Sequence, residues 1–142
     1  MNIQNEIELA YQNGPFPRLL PKQPLYLSSY DLESLYRAKD MITKDLSRHI
    51  TIMDLSRELG MNEFKLKHGF KQVFGSGIYS YQLVIRMERA KELMETTERC
   101  IKDIARSIGY RSSSSFIAAF KKTYKISPAL WKRNSRNQKT PF

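Results

Sequence analysis

Along residues 62 to 74, Glu63, Phe64, Lys67, His68 and Lys71 fall at helical spacing between the apolar Leu66, Phe70, Val73 and Phe74. On a helix, that pattern turns one edge inward and sends ammonium and imidazole donors outward. Lys67 and His68 can donate to guanine acceptors, Phe64 can pack on a thymine methyl or a sugar, and Lys71 is better placed for a phosphate. A second stretch offers shorter groups: Ser113, Ser114, Ile117 and Ala118 can make hydroxyl or methyl contacts but no forked pairing with guanine. Around it, Lys102, Arg111, Lys121, Lys122 and Lys125 supply charge that attracts phosphate whatever the base sequence. A plainer alternative makes Phe64 a core residue, the lysines a solvated face and the serines a small-residue helix start.

Bond-making chemistry finds no matching pattern. There is no glycine-rich phosphate loop, His49 and His68 lack metal-ligand spacing, and Cys100 has no obvious base beside it. The expectation is a protein that is not an enzyme and needs no cofactor or metal.

The elements that must position these groups are helices. Pro15, Pro17, Pro21 and Pro24 keep residues 1–27 from forming a continuous helix, so this stretch reads as an arm or interdomain linker. Ser28 and Ser29 offer a cap, and Leu35, Ala38, Ile42 and Leu46 predict a helix from about Asp31 to about Ser47. Thr51 and Asp54 form a capping-box pattern ahead of a short helix with Ile52, Leu55 and Leu59 on one face, ended by Gly60. Asn62 caps the next helix, which Gly75 ends. From Ile78 to Thr96, Tyr79, Leu83, Met87, Ala90 and Met94 predict one long amphipathic helix, with Arg86, Glu88, Arg89, Lys91 and Glu92 mostly on its other faces.

The pattern then starts again. Adding 49 carries Ile52, Asp54, Leu55, Arg57, Leu59 and Gly60 onto Ile101, Asp103, Ile104, Arg106, Ile108 and Gly109. Beyond the glycine the offset is 50, and Leu66, Phe70, Lys71 and Phe74 fall on Phe116, Phe120, Lys121 and Tyr124. One structural unit is used twice, with an extra turn residue in the second copy. Ser56 and Ala105 are small at mid-helix, which lets a second helix cross closely, as a helix-turn-helix requires. Ser112 is a cap for the second copy's second helix. Ser127-Pro128 fits a cap followed by proline at the first helical position, giving a short final helix anchored by Trp131.

The expected fold is therefore all-α: two helix-turn-helix subdomains at 28–75 and 98–133, a connecting helix at 76–97, and a flexible basic tail at 134–142. Net charge is +10 over 142 residues, and residues 101–142 carry 10 basic and 1 acidic side chains. A basic end that is also patterned for helices suits a folded surface meeting a polyanion. No apolar stretch approaches the ~20 residues needed to cross a bilayer, so no membrane partner is expected. No secretory leader pattern opens the sequence and the lone Cys100 makes no intrachain bridge, which predicts a cytoplasmic location. The duplicated groove-sized helices predict sequence-specific binding to a double-stranded DNA operator. The alternative is an RNA- or ribosome-associated basic helical protein, which would need exposed aromatics or a clamp for single-stranded bases.

The run Ile101–Tyr110, with the serine-rich turn, Phe116, Phe120-Lys121-Lys122, Tyr124, Ser127-Pro128 and Trp131, resembles the AraC/XylS family signature. The resemblance covers about residues 31–133, including Arg86, Arg89 and Ala90. Asn62–Phe70 further resembles siderophore-responsive regulators of the pyochelin and yersiniabactin type. The resemblance implies about seven helices, two recognition helices in successive major-groove segments, an asymmetric site read by one protomer, and transcription activation in a bacterial cell. It places base reading on Phe64, Lys67, His68, Ser113, Ser114, Ile117 and Ala118. The family often has a long polar residue where Ala118 stands. Relatives usually carry an effector-binding, dimerising domain ahead of this module, so the chain is expected to be either a fragment with its interdomain arm or a stand-alone activator. RNA polymerase is the further partner an activator implies.

Overall fold

The computed structural model describes residues 23–139. Within them lie seven helices and no strand: α1 (Ser29–Lys44), α2 (Ile52–Leu59), α3 (Glu63–Phe74), α4 (Ile78–Thr96), α5 (Ile101–Ser107), α6 (Ser113–Tyr124) and α7 (Pro128–Lys139). The all-α class is as expected. Packing divides the chain into two compact units. One holds the described residues through Ile42 together with Ile50–Tyr81, and the other holds Thr43–His49 and the residues from Gln82 onward.

In the first unit, Ser28 Oγ accepts from the Asp31 amide at 3.1 Å and the Asp31 carboxylate accepts from the Ser28 amide at 2.9 Å. This reciprocal pair starts α1, whose Leu35, Ala38 and Ile42 are buried. Thr51 and Asp54 close the same kind of box at the head of α2. Gly60 ends α2 with φ +65°, a left-handed turn that costs glycine little, and Ser56 Oγ donates to the Met61 carbonyl across the turn at 2.5 Å. Asn62 Oδ1 then accepts from the Lys65 amide at 2.7 Å and starts α3. Leu55, Leu59, Leu66 and Phe70 fill the space between α1, α2 and α3. Of the expected arm, residues 1–22 lie outside the described part. Leu25 is held against α3 by the Gln72 amide, which accepts from its N–H at 2.8 Å and donates to its carbonyl at 2.9 Å.

In the second unit, Ile104, Ala105, Ile108, Phe116 and Phe120 are fully or almost fully buried with Met87, Ala90 and Met94 of α4. Each buried phenylalanine contributes on the order of 2–3 kcal/mol. Ser112 Oγ accepts from the Ser115 amide at 3.2 Å to cap α6, and Ser127 Oγ accepts from the Leu130 amide at 3.2 Å to cap α7. The Tyr124 hydroxyl donates to Glu88 at 3.0 Å, and burial together with that carboxylate pushes its pKa up to about 12. Cys100 stands where Thr51 stands in the first copy and makes no side-chain cap bond. Cys100→Thr is expected to stabilise the second unit by about 0.5–1 kcal/mol. The check is a higher urea midpoint at unchanged slope, and an unmoved midpoint would show that the cap does not form.

Three expectations need correction. The first helix ends at Lys44 rather than near Ser47, because the Asp45 carboxylate takes the Ser47 amide at 3.0 Å and its hydroxyl at 2.5 Å, turning the chain out of the helix. The last helix is not short, and the basic segment after Arg133 is not a loose tail from its start: α7 continues to Lys139. Arg136 pairs with Glu98, and Lys132 Nζ donates to the Arg99 carbonyl at 2.7 Å, so neighbouring chain clasps it. On α4, Tyr79 and Leu83 are 61% and 40% exposed, whereas Ile78 and Gln82 are buried. That helix serves two cores in succession, Ile78 in the first and Met87 onward in the second, so no single apolar stripe runs its length.

Candidate nucleic-acid interface

Helix α3 is fixed from both ends, by the Asn62 cap and by Gly75, whose N–H donates to the Lys71 carbonyl at 2.9 Å. With Leu66, Gly69 and Phe70 buried, the residues between them must face out. Glu63, Phe64 and Lys67 are exposed, and His68 and Lys71 are half-buried. Phe64, at 53% exposure, is not a core residue, and its ring lies 4.2 Å from the His68 ring. Beside this edge runs a groove of about 600 Å³, whose walls include Met53, Lys67, His68, Lys71 and Tyr79. Burial, and then the charges of Lys71 and Lys67, hold the His68 pKa below its ordinary value. At neutral pH the imidazole is therefore uncharged and can both donate and accept.

Helix α6 is presented in the same manner. Ser114 and Ala118 are exposed, Ser113 is half-buried, and Lys121 and Lys122 are exposed in the last turn. Ile117 is half-buried and packs against the second core, so it offers an edge rather than a whole side chain. Lys102 and Arg111 are exposed. Lys125 occupies the helix-ending place of Gly75 with φ +67°, and its ammonium turns back to donate to the Lys122 carbonyl at 3.1 Å.

The cations divide into two groups. Lys65 lies 2.7 Å from Asp31, and that contact, followed by the Ser28 amide, holds the Asp31 carboxyl below its ordinary range. Arg89 pairs with Glu92 at 2.9 Å, and Lys91 pairs with Glu88 at 3.2 Å while lying over the Tyr124 and Trp131 rings. Lys67, Lys71, Lys102, Arg111, Lys121 and Lys122 enter no ion pair among the described residues. These six unpaired cations lie on or beside the two outward-facing helices. Sequence reasoning missed Arg86, placed there on the solvent side of α4. Its Nε and Nη2 are buried without a hydrogen-bond partner. No helix of the described residues is long and apolar enough to cross a membrane.

Two capped helical hairpins, each presenting the second helix outward with free cations, make this a duplicated helix-turn-helix protein. The chain belongs to the AraC/XylS-type helix-turn-helix domain family, which matches residues 55–134. It is 32% identical over 95 residues to the HTH-type transcriptional activator RhaR of Klebsiella pneumoniae, covering 67% of this chain and 34% of that protein. The C-terminal domain of AraT, a response regulator from Geobacillus stearothermophilus, superposes with TM-score 0.68 at 32% identity, over 78% of this chain and 88% of that domain. The DNA-binding domain of AdpA, a global transcriptional factor solved with a target DNA, shares the fold with TM-score 0.70 at 20% identity, over 74% of this chain and 95% of that one. The chain spans about a third of the length of the first curated relatives it matches.

Proposed function

We propose that this chain is a sequence-specific DNA-binding module of a bacterial transcription regulator. It binds duplex DNA by placing α3 and α6 in successive major-groove segments of an asymmetric operator. The observation that carries this reading is the pairing of outward, unpaired cations with exposed reading residues on the second helix of each hairpin. Phe64, Lys67 and His68 on α3 and Ser113, Ser114, Ile117 and Ala118 on α6 meet bases. Lys71, Lys102, Arg111, Lys121 and Lys122 meet phosphates. The first hairpin discriminates more sharply, because its side chains are long donors and those of α6 are short. Family membership favours this reading over the RNA- or ribosome-associated alternative.

Family membership supports finer assignments. The module activates transcription with RNA polymerase as a further partner, joined by an effector-binding domain where the chain is a fragment of a longer regulator, and it works in the cytoplasm without enzymatic chemistry. The Asn62–Phe70 run supports membership in the siderophore-responsive type, and selected sites lying ahead of siderophore-uptake genes would bear that out.

Selection from random duplex DNA at stated salt tests the main reading. Enrichment of one asymmetric sequence is expected, and recovery of no sequence preference, or equal capture of single-stranded RNA, would overturn it. On the selected duplex, Lys121→Ala should reduce the slope of log affinity against log salt by about 0.9, as loss of one phosphate contact requires. An unchanged slope would remove Lys121 from the interface.

A further inference from the structure

Within the second unit, a pocket of about 410 Å³ is walled by His49, Arg86, Gly109, Tyr110, Arg111 and Ser115. None of these walls is a carboxylate, and two are guanidinium groups. Arg86 is half-buried, yet its Nε and Nη2 are buried without a partner, which is the unusual feature, since buried donors in folded proteins are nearly always matched. Gly109 leaves Arg86 room, because a Cβ at Gly109 would lie 3.1 Å from Arg86 Nη2. His49 Nε2–H donates to the Gly109 carbonyl at 2.6 Å and steadies the same wall. The Arg86 Nε and Nη2 donors of this pocket lack an acceptor.

We propose that this pocket is an oxyanion site that seats one phosphate group, with Arg86 as its deep ligand and Arg111 at its rim. Arginine suits the task, because its planar fork matches two oxygens of a phosphate and it is more weakly hydrated than an ammonium. Two guanidinium groups, an imidazole and a hydroxyl on its walls favour a charged or polar occupant. Ser115 lies in the first turn of α6, so the pocket opens beside the start of a reading helix, where a DNA backbone phosphate would pass. A free phosphate carries the same chemistry. The DNA source rests on the function proposed above, whereas the oxyanion site itself does not.

Two measurements on the intact chain test it. The first is thermal unfolding in inorganic phosphate against chloride at matched ionic strength, without DNA. Phosphate should raise the midpoint of the wild type and of Lys121→Ala by several degrees, as a ligand of the folded state does, but not that of Arg86→Met. In chloride, Arg86→Met should be as stable as the wild type or more so, because it removes two unmatched buried donors of a half-buried charge. The second is the salt dependence of binding to a selected duplex. There Arg86→Met should lose about tenfold in affinity and about 0.9 of the slope. A phosphate effect with the slope loss assigns the site to the DNA backbone, and a phosphate effect with the slope intact assigns it to a free anion; both uphold an oxyanion site. If Arg86→Met does not fold, Arg111→Gln at the exposed rim must show the same losses. Equal responses of wild type and variants in both measurements would overturn the proposal. A wild type that binds no duplex yet responds to phosphate would sink the DNA reading alone.

Discussion

Gly109→Ala should destabilise the second unit by about 2–6 kcal/mol, against the 5–15 kcal/mol that typically holds a domain together. Gly109 has φ +96°, a conformation that costs an alanine about 1–3 kcal/mol by itself. A Cβ there would also stand 2.5 Å from the Leu46 carbonyl oxygen, closer than real Cβ atoms come to anything. Backbone must move to relieve that clash, and overpacking of this kind adds about 1–3 kcal/mol. Gly60 supplies the control. It ends the matching helix of the first copy with φ +65°, but a Cβ there meets nothing within 4 Å. Gly60→Ala should therefore cost only the left-handed penalty, about 1–2 kcal/mol. Far-UV ellipticity follows the unfolding of both units, and the single tryptophan, Trp131, packed in the second core, reports that unit separately by fluorescence. Equal urea midpoints for the two variants would mean that the Leu46 contact is not the governing constraint.

That contrast also shows what could be read from the sequence. The glycines marked both turns, because ending a short helix is a local event and only glycine takes the left-handed place at little cost. The caps Thr51, Asn62, Ser112 and Ser127 were legible for the same reason: each bonds an amide three residues on. What Gly109 must clear was not legible, since Leu46 is far from it in the chain. Long-range partners likewise decide the length of α7, which depends on Glu98 and Arg99, and the burial of Arg86. Periodicity failed at Tyr79 and Leu83 because it assumes that a helix keeps one partner along its length. Along α3, spacing correctly separated buried Leu66 and Phe70 from exposed Lys67. For Phe64 it left two options, because an aromatic side chain at helical spacing fits either a core or a ligand.

Lys67→Ala should change which DNA sequences are bound rather than how strongly DNA is held in general. Lys67 is exposed at the middle of α3, free of ion pairs among the described residues, and on the wall of the groove shared with His68 and Lys71. A donor so placed that meets a guanine edge contributes about 1–3 kcal/mol of discrimination, roughly tenfold to a hundredfold at one base position. Its removal empties that position of preference and leaves the others in place. Lys71, one turn along and half-buried, is the internal comparison. Lys71→Ala should weaken selected and random duplexes alike and lower the salt slope by about 0.9, because a phosphate contact carries no sequence information. Folding does not confound either test, since neither side chain contributes to the buried core around Leu66 and Phe70. Selection repeated with each variant separates the roles. If Lys67→Ala recovers the same sequence with the same preference at every position, then α3 reads bases through Phe64 and His68 and Lys67 serves only the backbone.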